Sequence, residues 1–126
     1  MSVTKVYLAG KFDDELMPSR MSFLSVEGFI VTHDWTINKD VPLKEAAILD
    51  INGVKECDIL IAVMDDESYS YRGTFTEIGC AIGLGKRIII VNKNKNAECV
   101  NLCFYHHPQI EYCGSFLKAC SMAKAV

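Results

Sequence analysis

The sequence lacks the features that mark membrane and secreted proteins. No apolar run approaches the ~20 residues that cross a bilayer, and no low-complexity tract interrupts the chain. The first residues, MSVTKVYLAG, lack the apolar core and the small-residue cleavage site of a secretory signal. We therefore expect a soluble globular protein of the cytoplasm, with no membrane partner.

Clustered basic residues are also lacking. The 13 Lys and Arg are scattered along the chain and are outnumbered by 16 Asp and Glu, which gives a formal net charge of −3. Because a nucleic-acid surface needs clustered positive charge to neutralise phosphates, we expect no nucleic-acid partner.

Metal-binding spacings are missing as well. The six cysteines form no CxxC pair, and the adjacent His106 and His107 do not follow the H-x3–5-H spacing of zinc sites. We expect most of the cysteines to be reduced, buried thiols. The acidic run of Asp65, Asp66 and Glu67 leaves a divalent ion open, but a solvated turn is the simpler interpretation. The sequence therefore predicts no bound metal.

Two glycine-containing stretches lack the spacing of nucleotide motifs. The stretch GLGK at 83–86 does not fit the GxxxxGKS/T phosphate loop, and it follows a predicted helix instead of opening one. It is typical of a helix stop. The stretch YLAGKF at 7–12 lacks the second and third glycines of a dinucleotide fingerprint. We predict no cofactor.

The hydrophobic pattern that is present indicates strands alternating with helices. The chain has 126 residues, half of them hydrophobic, which suits one domain over residues 1–126. The near-continuous apolar runs at 57–64 and 86–91 are typical of parallel strands that are covered on both faces. The predicted strands are 4–9, 29–35, 57–64, 86–91 and 109–113.

Helical spacing fills the segments between these strands. The predicted helices are 11–28, 42–56, 74–84 and 115–125, the last starting after Ser115 or Gly114. In the second helix, apolar residues at 43, 46 or 47, 51 and 54 predict a buried stripe. The alternation indicates a doubly wound α/β domain with right-handed crossovers.

This fold class predicts where a ligand binds. Doubly wound sheets bind ligands beyond the carboxyl ends of their strands, near the point where the strand order reverses. Residues 10–13, 33–35 and 65–74 should therefore converge on one crevice, which the start of the helix containing Glu77 also faces.

Glu77 has two interpretations. Thr74 and Glu77 match the S/T-x-x-E capping box, and the residue types alone favour a cap. A reacting carboxylate would instead have a second acid and a tyrosine hydroxyl close to it. The candidates are Asp50 and Tyr7, although a lone Asp near a helix end is often solvated and a strand Tyr is often core.

Four stretches, taken in order, resemble the nucleoside 2-deoxyribosyltransferases. They are YLAGKF, LDINGVKECDILIAVMD, GTFTEIGCAIGLGKRIIIV and VNLCF, which together span most of the chain from residue 4 to about 104. The resemblance implies a flavodoxin-like doubly wound sheet of about five parallel strands with helices on both faces. It also implies transfer of 2-deoxyribose from one nucleobase to another, with a deoxynucleoside and a free nucleobase as the small-molecule partners.

The resemblance implies roles for the candidate catalytic residues. Glu77 matches the glutamate that attacks the anomeric carbon and forms a covalent 2-deoxyribosyl intermediate. Asp50 matches the aspartate that exchanges protons with the departing and incoming base, and Tyr7 matches a tyrosine that holds the nucleophile. Two carboxylates in different environments suit this chemistry, because one must be ionised while the other carries a proton.

The substrate-binding residues follow from the crevice and the resemblance together. Aromatic residues at 12 and 35 are candidates to stack on the base, and the resemblance implies that a residue at 101 reaches a neighbouring subunit's pocket in a homo-oligomer. The predicted substrate-binding residues are Gly10, Phe12, Trp35, Asp65, Arg72, Gly73, Asn101 and Cys103.

The chain departs from the family pattern just before Glu77. Many members have an acid there that binds a sugar hydroxyl, but this chain has Ser70, Tyr71 and Arg72. Arg72 beside a helix N-terminus can instead accept a phosphate, which favours an alternative, a deoxynucleoside 5′-monophosphate N-hydrolase. The acids of GKFDDE argue against a phosphate. A non-catalytic nucleoside- or nucleotide-binding module is the third hypothesis, and the sequence leaves purine or pyrimidine preference open.

Overall fold

The computed structural model describes residues 3–94 and 96–125. Its strands are β1 Lys5–Ala9, β2 Ile30–Val31, β3 Ile59–Val63, β4 Arg87–Val91 and β5 Ile110–Cys113. Its helices are α1 Met17–Val26, α2 Leu43–Glu56, α3 Arg72–Gly83, α4 Ala97–Val100 and α5 Phe116–Lys124, with a 3-10 turn at Cys103–His106. Within these ranges, no helix has the length and apolar character needed to cross a bilayer.

The five strands form one sheet in the order β2-β1-β3-β4-β5, and every neighbouring pair is parallel. The strand order reverses beside β1, because the chain moves outward to β2 and then returns to β3 on the other side. The predicted flavodoxin-like α/β fold is confirmed. The crevice that this fold predicts lies at the carboxyl ends of β1 and β3.

Helices cover both faces of the sheet. Successive strand residues point to opposite faces, so the central strands build two core layers. One layer contains Leu60 with Val54 of α2 and Ile78 of α3. The other contains Ile61 with Met21 of α1 and residues of α5. The long apolar runs of β3 and β4 are explained by this double burial.

Strand β2 is shorter than the predicted strand 29–35. Only Ile30 and Val31 pair with β1. After them the chain leaves the sheet, because the Thr32 hydroxyl donates to the Gly53 carbonyl (2.7 Å) and the Trp35 indole donates to the Leu8 carbonyl (2.8 Å). The Thr32 N–H still donates to the Val6 carbonyl at 3.0 Å, and beyond it the side-chain bonds direct this segment toward the crevice.

The predicted buried stripe of α2 is wrong in its first half. Gly53 and Val54 are buried, but Leu43 is 90% exposed. A helix between parallel strands starts at the carboxyl edge of the sheet, so the first half of α2 projects past the core. There it borders the crevice instead of the sheet.

Candidate active site

A pocket of about 220 Å³ lies at the carboxyl edge of the sheet. Three segments that the sequence predicts to converge there each contribute to its wall, namely the loops after β1, β2 and β3. The residues of the sequence prediction that line it are Tyr7, Gly10, Phe12, Trp35, Asp50, Gly73 and Glu77.

Glu77 contacts the Tyr7 hydroxyl and does not form a capping box. The Tyr7 hydroxyl donates to Glu77 Oε2 at 2.6 Å, a bond that joins residues 70 positions apart. Helix α3 begins at Arg72, so Thr74 lies inside the first turn and its hydroxyl points to the Gly10 carbonyl at 3.4 Å. The residue before the helix, Tyr71, has a left-handed backbone (φ 53°) and gives no side-chain cap. The capping interpretation of Glu77 is therefore wrong.

Burial dominates the electrostatics of Glu77. Its pKa is raised from 4.5 to about 8, chiefly by desolvation. The hydrogen bond from Tyr7 lowers this pKa, and the Asp50 carboxyl raises it further. Burial and the neighbouring Glu77 carboxyl raise the pKa of Tyr7. The Tyr7 hydroxyl therefore stays protonated at neutral pH and stays a donor to Glu77.

Asp50 lies across the pocket on α2. Burial raises the pKa of its carboxyl, and the nearby His33 ring opposes this effect. The His33 Nε2 atom lies 3.5 Å from Asp50 Oδ1. The pocket thus holds two carboxyls, each with a pKa above its ordinary value and each with a different polar neighbour.

Gly53 sets the distance between α2 and the sheet. A Cβ atom at this position would lie 2.8 Å from the Tyr7 ring and 2.9 Å from the His33 Cβ. Side-chain carbons are not found this close together, so only glycine allows the helix to approach. The glycine lies one turn after Asp50, and its carbonyl accepts the bond from Thr32 (2.7 Å). The stretch D-I-N-G at 50–53 therefore has a physical basis, because the glycine brings the aspartate to the pocket.

Two aromatic rings form one wall of the pocket. Phe12 and Trp35 are stacked, with ring centroids 6.2 Å apart and an interplanar angle of 17°. Lys39 covers the Phe12 ring at 4.6 Å, and its ammonium group donates to the Phe12 carbonyl at 2.8 Å. A flat apolar wall of this kind suits a planar base.

Four residues of the predicted site lie elsewhere. Asp65 Oδ1 accepts a bond from the Lys93 backbone N–H at 2.7 Å. Arg72 is exposed and lines a separate groove on the outer side of α3. Asn101 follows α4 and Cys103 opens the 3-10 turn, and both are exposed outside the pocket. Their proposed roles stay predictions.

Several pocket residues escaped the sequence reasoning as site residues. His33, Tyr69 and Thr74 lie in the segments that the sequence predicts to reach the crevice, but none of them is a predicted site residue. The others lie in the loop before α2 and on its first turns, where the apolar pattern of α2 predicts core for some of them. These additional lining residues are His33, Asn38, Lys39, Val41, Leu43, Ala46, Tyr69 and Thr74.

Fold and site together define a class of protein. These are the flavodoxin-like α/β domains with a ligand pocket that is lined by carboxyl groups and lies at the carboxyl edge of a parallel sheet. The family model described as nucleoside 2-deoxyribosyltransferase matches residues 6–111 of this chain. The chain belongs to that family, and the resemblance found in the sequence is confirmed.

Solved structures extend the comparison. The chain is similar to the CMP N-glycosidase BcmB of Clostridium botulinum, with 24% identity and a TM-score of 0.65, over 97% of this chain and 99% of that one. This likeness confirms the fold. A homoserine dehydrogenase of S. aureus matches with 15% identity and a TM-score of 0.42, over 89% of this chain and 33% of that one. No sequence among the curated proteins matches the chain significantly.

Proposed function

We propose that this protein cleaves the N-glycosidic bond of a 2-deoxyribonucleoside and transfers the sugar to a second base through a covalent intermediate on Glu77. One observation carries the proposal: the Tyr7 hydroxyl donates to Glu77 Oε2 at 2.6 Å in the pocket that Asp50 also lines. A binding module needs no such bond, so the observation weighs against a purely sensing role.

In the first step the base departs and Glu77 takes its place. Cleavage leaves positive charge on the sugar ring, which a fixed carboxylate stabilises and then bonds at the anomeric carbon. The base must leave neutral, so Asp50 donates a proton to it. In the second step the same carboxylate removes a proton from the incoming base as that base attacks the sugar.

The active form needs an ionised Glu77 and a protonated Asp50. Burial raises the pKa of both carboxyls, that of Glu77 to about 8. The Asp50 carboxyl contributes to the raised pKa of Glu77, so the two carboxyls interact and titrate as a pair. The hydrogen bond from Tyr7 favours the arrangement in which Glu77 is ionised and Asp50 carries the proton.

The size of the pocket suits an exchange in two steps. At about 220 Å³ it lies below the ~300–1,000 Å³ of pockets for drug-sized ligands. A double displacement needs room for only one base at a time, because the first base leaves before the second enters. The stacked wall of Phe12 and Trp35 would hold each base in turn.

Hydrolysis of a nucleoside 5′-monophosphate is the second candidate. It is favoured by the likeness to a CMP N-glycosidase over nearly the full length of both chains. In this reaction water would take the sugar from Glu77. Gly73 and Thr74 line the pocket from the first turn of α3, where free N–H groups and the helix dipole favour an anion. Arg72 lines the groove outside α3, so the N–H groups at the start of α3 would bind the phosphate without help from Arg72.

A product assay separates the candidates. Deoxynucleosides and nucleoside 5′-monophosphates are incubated with the protein, with and without a second free base, and the products are resolved by chromatography. Base exchange supports the transferase, and a free sugar or sugar phosphate supports the hydrolase. If no substrate is turned over, the binding module is favoured and the proposal fails.

Two variants and a trap locate the nucleophile. We expect Glu77→Ala to abolish turnover and Asp50→Ala to leave a slow enzyme, since general acid–base help is worth about 10²–10⁴ in rate. Glu56→Gln, an exposed residue at the far end of α2, is the control and should keep full activity. A 2-fluoro sugar analogue followed by peptide mass mapping should label Glu77. A label on another residue, or full activity in Glu77→Ala, contradicts the mechanism.

A further inference from the structure

His33 lies beside the proposed acid. It belongs to the segment that leaves the sheet after β2, it lines the pocket, and its Nε2 atom is 3.5 Å from Asp50 Oδ1. Gly53 fixes this placement, because the absence of a side chain there lets α2 pack against the His33 Cβ. The same contact therefore holds both members of the His33–Asp50 pair.

We propose that His33 shares a proton with Asp50 and supplies it, through the Asp50 carboxyl, to the departing base. The inference rests on the proposed N-glycosidic cleavage and adds a proton source to it. His33 acts here through Asp50, so it is a positioning and proton-supplying residue.

Three other polar groups that line the pocket have partners or roles of their own. Tyr7 of β1 donates its proton to Glu77, and Glu77 of α3 must be an anion to attack the sugar. Lys39, in the loop before α2, donates to the Phe12 carbonyl. The His33 ring is the group that the structure places beside the Asp50 carboxyl, with Nε2 3.5 Å from Oδ1.

The distance fits a pair that tightens on binding. A separation of 3.5 Å is longer than the 2.7–3.2 Å of an ordinary N–H···O bond. Catalytic bonds are often long without substrate and shorten in the complex. Both side chains are partly open to the pocket, 25% exposed for His33 and 33% for Asp50, so a base that fills the pocket would exclude water from the pair.

The proton balance closes over one cycle. The pair starts with one proton. As the bond between the base and the anomeric carbon breaks, this proton passes through the Asp50 carboxyl to the base, which leaves Asp50 as the carboxylate and the His33 ring neutral. When the acceptor attacks the anomeric carbon, the bond between this carbon and Glu77 breaks, and the proton of the acceptor passes to the Asp50 carboxylate and so returns to the pair. The acceptor is a second base or a water molecule, and Glu77 is released as the carboxylate.

Leaving-group acidity tests the inference. A more acidic base departs with less help from a proton donor, so uracil and 5-fluorouracil nucleosides, or their 5′-monophosphates, form a matched pair. Single-turnover release of each base is measured in the wild type and in His33→Gln. We expect uracil release to fall about 10- to 100-fold, within the lower range of general acid effects, and 5-fluorouracil release to fall several-fold less. The control His107→Gln replaces a histidine far from the pocket and should leave both rates unchanged.

Each outcome is decisive. If both rates fall by the same factor in His33→Gln and in His33→Asn, His33 has only a structural role and the inference is overturned. Two variants guard against a local folding defect, which thermal unfolding would reveal. If the wild type releases base but neither variant changes the ratio of the uracil rate to the 5-fluorouracil rate, only this inference fails. If the wild type releases no base from any deoxynucleoside or 5′-monophosphate of the product assay, the proposed function fails and this inference falls with it.

Discussion

The Glu77 carboxyl is held where water solvates it poorly, and this placement affects stability as well as chemistry. Burial raises its folded-state pKa from 4.5 to about 8. A group with a raised pKa contributes stability that is fully present below the unfolded pKa and is lost as pH rises through the folded pKa. Folding stability should therefore decline between about pH 4.5 and 8 because of this one residue.

Glu77→Gln should stabilise the protein in that pH range. Each pKa unit corresponds to ~1.4 kcal/mol, and the amide can still accept the Tyr7 bond, so we expect a gain of about 2–4 kcal/mol at pH 8 and almost none at pH 4. Urea unfolding at the two pH values measures it. The exposed Glu56→Gln should show no pH-dependent gain. An equal effect of Glu77→Gln at both pH values would contradict the burial of the ionised carboxylate.

Tyr7→Phe should change the pH dependence of catalysis. In the wild type the hydrogen bond from Tyr7 lowers the pKa of Glu77. Its loss therefore raises that pKa above about 8, and less of the Glu77 carboxyl is ionised at neutral pH. A bond to a charged group is worth about 1.5–3 kcal/mol, so we expect kcat/KM near pH 7 to fall about 10- to 100-fold. The alkaline limb should also move to higher pH, because the pair keeps its single proton longer.

The pH profile of kcat/KM measures this shift. Tyr112→Phe is a suitable control, since its hydroxyl donates to the Tyr105 carbonyl and neither of these residues lines the pocket. That variant should keep the wild-type profile. A uniform loss of activity in Tyr7→Phe, with both limbs unmoved, would mean that Tyr7 only fills space.

Helix α2 carries the candidate acid, and its approach to the sheet depends on one residue. Gly53→Ala would place a methyl group 2.8–2.9 Å from the Tyr7 ring and the His33 Cβ. The helix must move outward, which withdraws Asp50 from the pocket. We expect a loss of about 1–3 kcal/mol in the free energy of unfolding, as for other overpacked cores. We also expect a fall in kcat that is larger than the loss of folded protein accounts for.

Gly83→Ala is the matched control on α3. Nothing lies within 4 Å of a Cβ at that position. Because alanine favours helix over glycine by about 0.5–1 kcal/mol, this variant should be as stable as the wild type or slightly more so, with normal activity. Thermal unfolding and turnover are measured on both variants. Normal activity in Gly53→Ala would show that the position of α2 does not depend on this contact.

The elements were predictable where one physical signal dominated. The continuous apolar runs of β3 and β4 reflect burial on both faces, and Ser115 begins α5 by accepting the Lys118 N–H at 3.1 Å. Strand β2 ends early because Thr32 and Trp35 form side-chain bonds to residues distant in sequence. A pattern of hydrophobic residues contains no record of such bonds.

The candidate site was predictable as a location and less so as a set of contacts. The order of strands and helices was enough to bring the loops of the first three strands together. Glu77 shows the limit, because local residue types favoured a cap while a tyrosine 70 positions away takes the carboxylate. His33 was missed as a site residue because its partner, Asp50, becomes a neighbour only when Gly53 lets α2 approach.

The whole molecule has an exposed apolar area near the groove outside α3. Phe104 is 58% exposed and Leu102 is 38% exposed, beside the exposed Arg72. Asn101 precedes this area in the chain and lies outside its own subunit's pocket. We propose that a second copy of the chain covers this area and that Asn101 of each copy completes the pocket of the other, as the resemblance implies.

Phe104→Glu should therefore yield a monomer. A buried charge at an apolar interface is costly, so light scattering should show a halved mass and activity should fall with it. Leu84→Glu introduces the same charge at an exposed apolar residue after α3 and serves as the control. It should keep both mass and activity. A wild-type protein that is monomeric at assay concentration would contradict the proposal at once.

Complementation between two inactive variants tests the shared pocket itself. Asn101→Ala and Glu77→Ala should each be nearly inactive as pure dimers. When the two are co-expressed, each mixed dimer has one pocket with an intact Glu77 and an intact Asn101 from the other copy. Random assembly makes half of the dimers mixed, each with one such pocket, so we expect roughly a quarter of wild-type activity. If Asn101 instead served its own subunit, neither pocket of a mixed dimer would hold both residues, and mixing would restore nothing.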